Sequence, residues 1–76
     1  MTFLEAKNYL AELTSHITFN YKGKLCGIDP LSRTEFDMWY GSEEITVNSI
    51  DEVTTVKFFD NCTLFDIWND IDELEY

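Results

Sequence analysis

The chain has little of what most functional sites are made from. Its 76 residues include one histidine, one proline, three glycines, two cysteines and only five basic side chains. A single histidine excludes histidine clusters of metal-ligating type. Cys26 and Cys62 stand far apart, in no metal or redox spacing, and read as reduced cytosolic thiols. Scarce Lys and Arg argue against direct contact with nucleic acid or anionic membrane. No apolar run approaches the ~20 residues needed to cross a bilayer. "MTFLEAKNYL" has neither a basic leader nor a long apolar segment, so it does not read as a signal peptide.

What is present is acid and aromatic. Hydrophobic residues make up 45% of the chain and aromatics 16%, which favours a folded domain over a disordered segment. One domain, residues 1–76, is the reading that fits this length. The net charge of −10 is unevenly spread. Residues 1–34 carry four basic and three acidic side chains, whereas residues 35–76 carry twelve acidic ones and Lys57 alone. The second half should attract basic partners or cations.

Thr2-x-x-Glu5 has the form of a capping box. Phe3, Ala6, Leu10 and Leu13 then recur at helical spacing, predicting a helix from Phe3 to about Leu13. From Ile17 the period drops to two. Ile17, Phe19 and Tyr21 alternate with polar residues, Lys22-Gly23 makes a turn, and a short return strand covers about Lys24 to Ile28. Gly27 marks a bulge or a close backbone approach, and "DPLSRT" reads as a loop around Pro30. "TEFDMWY" and "EITVNS" form a second hairpin through Gly41-Ser42-Glu43. "SIDE" begins a short helix, Ile50 to about Thr55, with a fifth strand over Val53–Val56 as the alternative. Thr63 caps a closing helix with Leu64, Ile67, Trp68, Ile71 and Leu74 in one stripe, and "DELEY" frays.

These elements predict an α+β fold with two layers: a four-stranded antiparallel sheet of two hairpins, covered on one face by the N-terminal helix, the short helix and the C-terminal helix. The expected core is Phe3, Leu10, Leu13, Ile17, Phe19, Tyr21, Leu25, Phe36, Met38, Tyr40, Ile45, Val47, Phe58, Leu64, Ile67, Trp68 and Ile71. The other sheet face is left to water. Thr18, Asn20, Lys22, Asp37, Trp39, Glu44, Thr46 and Asn48 should populate it, and Trp39 is the one that does not fit a wet face.

No catalytic constellation emerges. Ser15 and His16 are adjacent and point to opposite sides of a strand start. The cysteines lack a histidine or basic pocket to lower their pKa. "DNCTLFDIWNDI" fails as a calcium loop, with Phe65 in place of the required glycine and Ile71 in place of the closing Glu. Asp66, Asp70 and Glu73 share one face if the last helix is continuous, and read as a solvated acidic face. The chain is therefore expected to be non-enzymatic, without metal or cofactor.

The stretches "GIDPLSRTEFDMWYG", "SIDEV", "FFD" and "LFDIW" resemble a group of small acidic uncharacterised proteins of Gram-positive gut bacteria, some carried on mobile elements. The resemblance spans about residues 17–71. It implies a bacterial cytoplasmic protein and no known activity, so no functional residue carries over.

Two functions fit. In the first, the chain is a protein-interaction module whose unidentified partner has a basic surface. Trp39 would be its centre, surrounded by Asp37, Thr18, Asn20, Thr46 and Asn48, because Trp is enriched at contact hot spots. In the second, Asp37, Glu43, Glu44, Asp51, Glu52, Asp66, Asp70 and Glu73 imitate phosphate charges and block a DNA- or RNA-binding protein.

Overall fold

The computed structural model describes residues 1–76. The capping box at Thr2 is formed from both sides: the Glu5 N–H donates to Thr2 Oγ1 at 3.1 Å, and the Thr2 N–H donates to Glu5 Oε1 at 2.8 Å. It opens α1, Phe3–Ala11. The helix stops two residues before Leu13, which takes a left-handed φ of 57° and is exposed rather than buried.

The sheet consists of β1 (Ile17–Tyr21), β2 (Lys24–Ser32), β3 (Glu35–Tyr40), β4 (Glu43–Val47) and β5 (Asp72–Glu75), in the order β4-β3-β2-β1-β5, with every pair antiparallel. The expected four-stranded sheet is thus corrected to five. The fifth strand comes from the C-terminal segment expected to fray, and Val53 and Thr54 lie in a helix, not a strand. The last predicted helix is cut to a single turn, α3 (Leu64–Ile67), and a 3-10 turn, Trp68–Asp70. Two effects explain the break. Carboxylates at a helix C-terminus oppose the dipole, and the outer edge of β1 offers unpaired backbone groups that a strand satisfies. Thr18 pairs with Glu75 and Asn20 with Asp72, with an irregularity between them where Glu73 has a φ of 53°. Ile71 and Leu74 still reach the core although they are no longer helical.

Turn chemistry accounts for the other differences. Lys22 and Gly23, with φ of 52° and 77°, make a two-residue turn that pairs Tyr21 with Lys24. Both φ values are positive, as a type I′ hairpin requires. Lys24 thereby takes the inward side, its Nζ 4.8 Å from the Tyr40 ring centroid, and Leu25 is sent outward, 59% exposed. Leu25 was expected in the core; a one-residue change of register reverses every side chain. β2 also runs through the segment expected as a loop. The Leu25 carbonyl accepts from the Gly41 N–H at 2.8 Å, so odd residues of β2 aim their backbone at β3 and even ones at β1. Pro30 is even, and β1 has already ended opposite Ile28, so the missing proline N–H leaves no bond unmade.

α2 spans Ile50–Thr55, as its sequence predicts, with Ser49 Oγ accepting from the Glu52 N–H at 3.1 Å. Between α2 and α3, Asp60 and Asn61 have φ of 55° and 62° and close a one-pair hairpin, Phe59 with Cys62. This turn points Phe59 inward, completely buried, and leaves the expected core residue Phe58 only half-buried. The helices cover one sheet face. A single cluster joins Ala6, Leu10, Val53, Leu64 and Ile67 of the helical layer to Ile17, Phe19, Ile28, Phe36 and Met38 of the sheet. No helix is long and apolar enough to cross a membrane.

Candidate functional site

The face of the sheet turned away from the helices is the candidate surface. Strand register places its residues in rows, because directly paired positions share a face. One row runs Glu44, Trp39, Gly27, Thr18 and Glu75; the next runs Thr46, Asp37 and Asp29. Thr18, Asn20, Asp37, Trp39 and Thr46, all predicted here, are found on it. Asn48 is not. It lies past the end of β4, its N–H donating to Glu52 Oε1 at 3.4 Å at the entry to α2. Lys22 is also displaced: it occupies the β1–β2 turn and pairs with Asp60, Nζ to Oδ2 at 2.5 Å. That contact raises the Lys22 pKa and lowers that of Asp60, in each case first through the hydrogen bond and then through charge.

Trp39 is half-buried, and its cover is a backbone. A Cβ built on Gly27 would fall 2.1 Å from Cζ2 of the indole, 2.5 Å from Cε2 and 2.7 Å from Cη2. The ring therefore lies across the bare Cα of its cross-strand partner, a pairing in which an aromatic side chain shields a strand glycine. Gly27 is the close backbone approach that its place in the strand suggested. One side of the indole is packed on Gly27. The remaining exposure belongs to the side turned outward, where Leu25 is a further exposed apolar neighbour on the face.

Around the indole the charge has one sign. Asp29 and Asp37 are directly opposed in the β2–β3 register, and both are half-buried. The Thr46 hydroxyl donates to Asp37 Oδ1 at 2.9 Å. Glu44 pairs with Trp39, Glu75 with Thr18, and the Asn20 amide donates to Glu73. No outward position of the paired strands is Lys or Arg. The basic side chains lie elsewhere: Lys7 near Asp51 at 3.8 Å, Lys22 on Asp60, Lys24 on Tyr40, Arg33 beside Phe36 and Ile50, and Lys57 after α2.

The remaining predicted acids do not join this face. Asp51 and Glu52 form the first turn of α2, Asp66 completes the capping box of α3 at Thr63, and Asp70 ends the 3-10 turn. Glu43 pairs with Tyr40 at the β3–β4 turn. Asp66, Asp70 and Glu73 no longer share a helical face, because the helix ends before Glu73. No group of three or more His, Cys, Asp or Glu side chains has the geometry to hold a metal ion. His16 is exposed ahead of β1, and burial pushes the Cys26 thiol up to about 11.

A second surface includes only Asp66 of the sequence-derived candidates. Met1, Thr2, Phe3, Phe65, Asp66, Trp68 and Asn69 line an open cleft of about 530 Å³ between α1 and α3, on the helical layer. Phe65 lies outside the apolar stripe of α3 and so carries no core signal in the sequence, yet it is a large aromatic ring that remains 64% exposed. Comparison with protein-family models, curated proteins and solved structures gives no match.

Proposed function

We propose that this protein is a non-enzymatic interaction module that captures a basic segment of a partner protein on its open sheet face. The observation that carries this reading is the Asp29–Asp37 pair. Like charges directly opposite each other in a sheet are destabilising, and no cation of the chain itself stands on that face to offset them. An Arg from a partner would fit. Its guanidinium is planar, stacks on an indole and donates bidentate hydrogen bonds to carboxylates. Trp39 lies two residues from Asp37 along the strand, on the same face and in the adjacent row.

Steering by the −10 charge would speed encounter and make it salt-dependent. The nucleic-acid-mimic reading is the weaker of the two. A mimic needs its carboxylates in one row that a basic groove can follow, whereas Asp51, Glu52 and Asp66 sit on the helical layer and Asp37, Glu44 and Glu73 on the sheet.

The test is affinity capture from a lysate of the source cell, read by mass spectrometry, with the native chain, Trp39→Ala and Asp37→Asn as baits. The expected result is a basic protein retained by the native chain and lost with both variants. Capture that survives both substitutions, or that added DNA duplex abolishes, would remove this reading.

A further inference from the structure

The cleft between α1 and α3 has a chemistry distinct from that of the sheet face. Phe3 and Phe65 meet with ring centroids 5.1 Å apart and planes at 81°; Phe3 and Trp68 meet at 6.2 Å and 75°. Rings set this steeply around a hollow cannot all stack on one flat ligand. Because their planes differ, their faces can approach one ligand from more than one direction, and it is the negative ring faces that hold an alkylammonium head in an aromatic cage. Trp68 is anchored as the floor. Its Nε1–H donates to the Met1 carbonyl at 3.2 Å, and the residue is almost entirely buried. Phe65 forms the outer wall.

The rim supplies the matching charge. Asp66 lines the cleft, and its Oδ2 accepts from the Thr63 N–H at 3.0 Å. Asn69 adds an amide, and no Lys or Arg lines the opening. The one cation at the opening is the α-ammonium of Met1, itself a lining residue, which offsets part of the Asp66 charge. It acts on Glu5, whose carboxyl is held below its ordinary value first by the Thr2 hydrogen bonds and further by this charge. At about 530 Å³ the hollow lies within the range of small-molecule sites.

We infer that the Phe3–Phe65–Trp68 cleft, with Asp66 at its rim, binds an alkylammonium cation, protonated or N-methylated. Two sources share this chemistry: a small free amine and a lysine side chain of another protein. The site uses none of the residues of the open sheet face and stands or falls independently of it.

The experiment is a titration of the native chain at constant ionic strength, following the Trp68 indole N–H by NMR. Choline chloride represents the small amine. N-acetyl-lysine methylamide represents the side chain. 3,3-Dimethyl-1-butanol, which has the shape of choline without the charge, is the control. One or both cations should shift the Trp68 signal saturably and bind at least about fivefold tighter than the alcohol; which cation binds better identifies the source. Phe65→Ala should weaken the cation at least about fivefold, and Phe65→Leu should do the same while keeping an apolar side chain in place. Asp66→Asn keeps an oxygen for the Thr63 cap and should also weaken it. Equal affinity for the alcohol, no saturable shift, or full affinity in both Phe65 variants would overturn the assignment.

Discussion

The indole of Trp39 lies across the Cα of Gly27, so closely that a single methyl group on Gly27 would sit 2.1 Å from Cζ2. The two residues are direct partners in the β2–β3 register. Each explains the other. Glycine inside a strand weakens it, and an aromatic side chain on the neighbouring strand restores the lost cover. A tryptophan on a wet face is in turn partly shielded because its partner has no side chain.

Gly27→Ala is therefore expected to displace the indole and destabilise the fold by about 1–3 kcal/mol, the usual cost of overpacking. Denaturant unfolding measures the loss, and the NMR shift of the Trp39 indole N–H reports the displacement. In the Trp39→Ala background the same glycine substitution should cost far less, since the clashing ring is gone. Equal costs in both backgrounds would show that the ring does not rest on Gly27.

The neighbouring phenylalanines separate sharply. Phe59 is completely buried, within 5.7 Å of the Phe19 ring and 6.2 Å of the Tyr40 ring, whereas Phe58 is half-buried at the cluster edge. Phe59→Ala should cost about 3–5 kcal/mol and Phe58→Ala clearly less. The midpoints of chemical denaturation check the order, and a reversal would place the Asp60-Asn61 turn in the opposite sense.

Cys26 is fully buried and its thiol is pushed up to about 11 by desolvation, while Cys62 is half-buried. At neutral pH an alkylating reagent should modify Cys62 well before Cys26. Peptide mass spectrometry over a time course gives the ratio. Cys26 should react only on the timescale of unfolding.

Glu5 and Asp60 hold carboxyls below their ordinary values, Glu5 through the Thr2 hydrogen bonds and Asp60 through the Lys22 hydrogen bond. A carboxyl whose folded pKa is depressed stabilises the fold above its unfolded pKa, and that contribution is lost as pH falls through the folded pKa. Both contributions should be complete above about pH 5 and disappear progressively below about pH 4. In Asp60→Asn the acid limb of stability against pH should become shallower, as read from denaturation midpoints. An unchanged limb would mean that the Lys22 contact does not persist in solution.

Deleting residues 72–76 should open the outer edge of β1. The strand would lose its pairs at Thr18 and Asn20, and Tyr9 would lose the edge-to-face contact with Tyr76 at 5.7 Å. Amide hydrogen exchange in residues 17–21 should accelerate. Unchanged exchange there would show that β5 does not protect β1.

Much of this architecture was legible in local chemistry. Thr2 with Glu5 and Ser49 with Glu52 opened helices where their spacing predicted. The alternation of Phe36, Met38 and Tyr40 placed β3 on the core, because a strand with one buried face tolerates no slip. The same period of two puts Trp39 and Asp37 on the outer face.

The remainder depended on partners distant along the chain. "DELEY" carries no strand signal of its own; it becomes β5 because β1, more than fifty residues earlier, has an edge to satisfy. Leu25 faces outward because the Lys22-Gly23 turn pairs Tyr21 with Lys24, which periodicity alone does not specify. Composition and spacing determined the two-layer α+β plan, the helix starts and an acidic second half. Only tertiary structure decided that Trp39 would rest on Gly27, that Asp29 and Asp37 would oppose each other without a cation, and that Phe65 would join Phe3 and Trp68 around a cleft. Capping and alternation are short-range and can be read within a few residues, whereas ring packing and unpaired charge are properties of residues that meet only when the chain has folded.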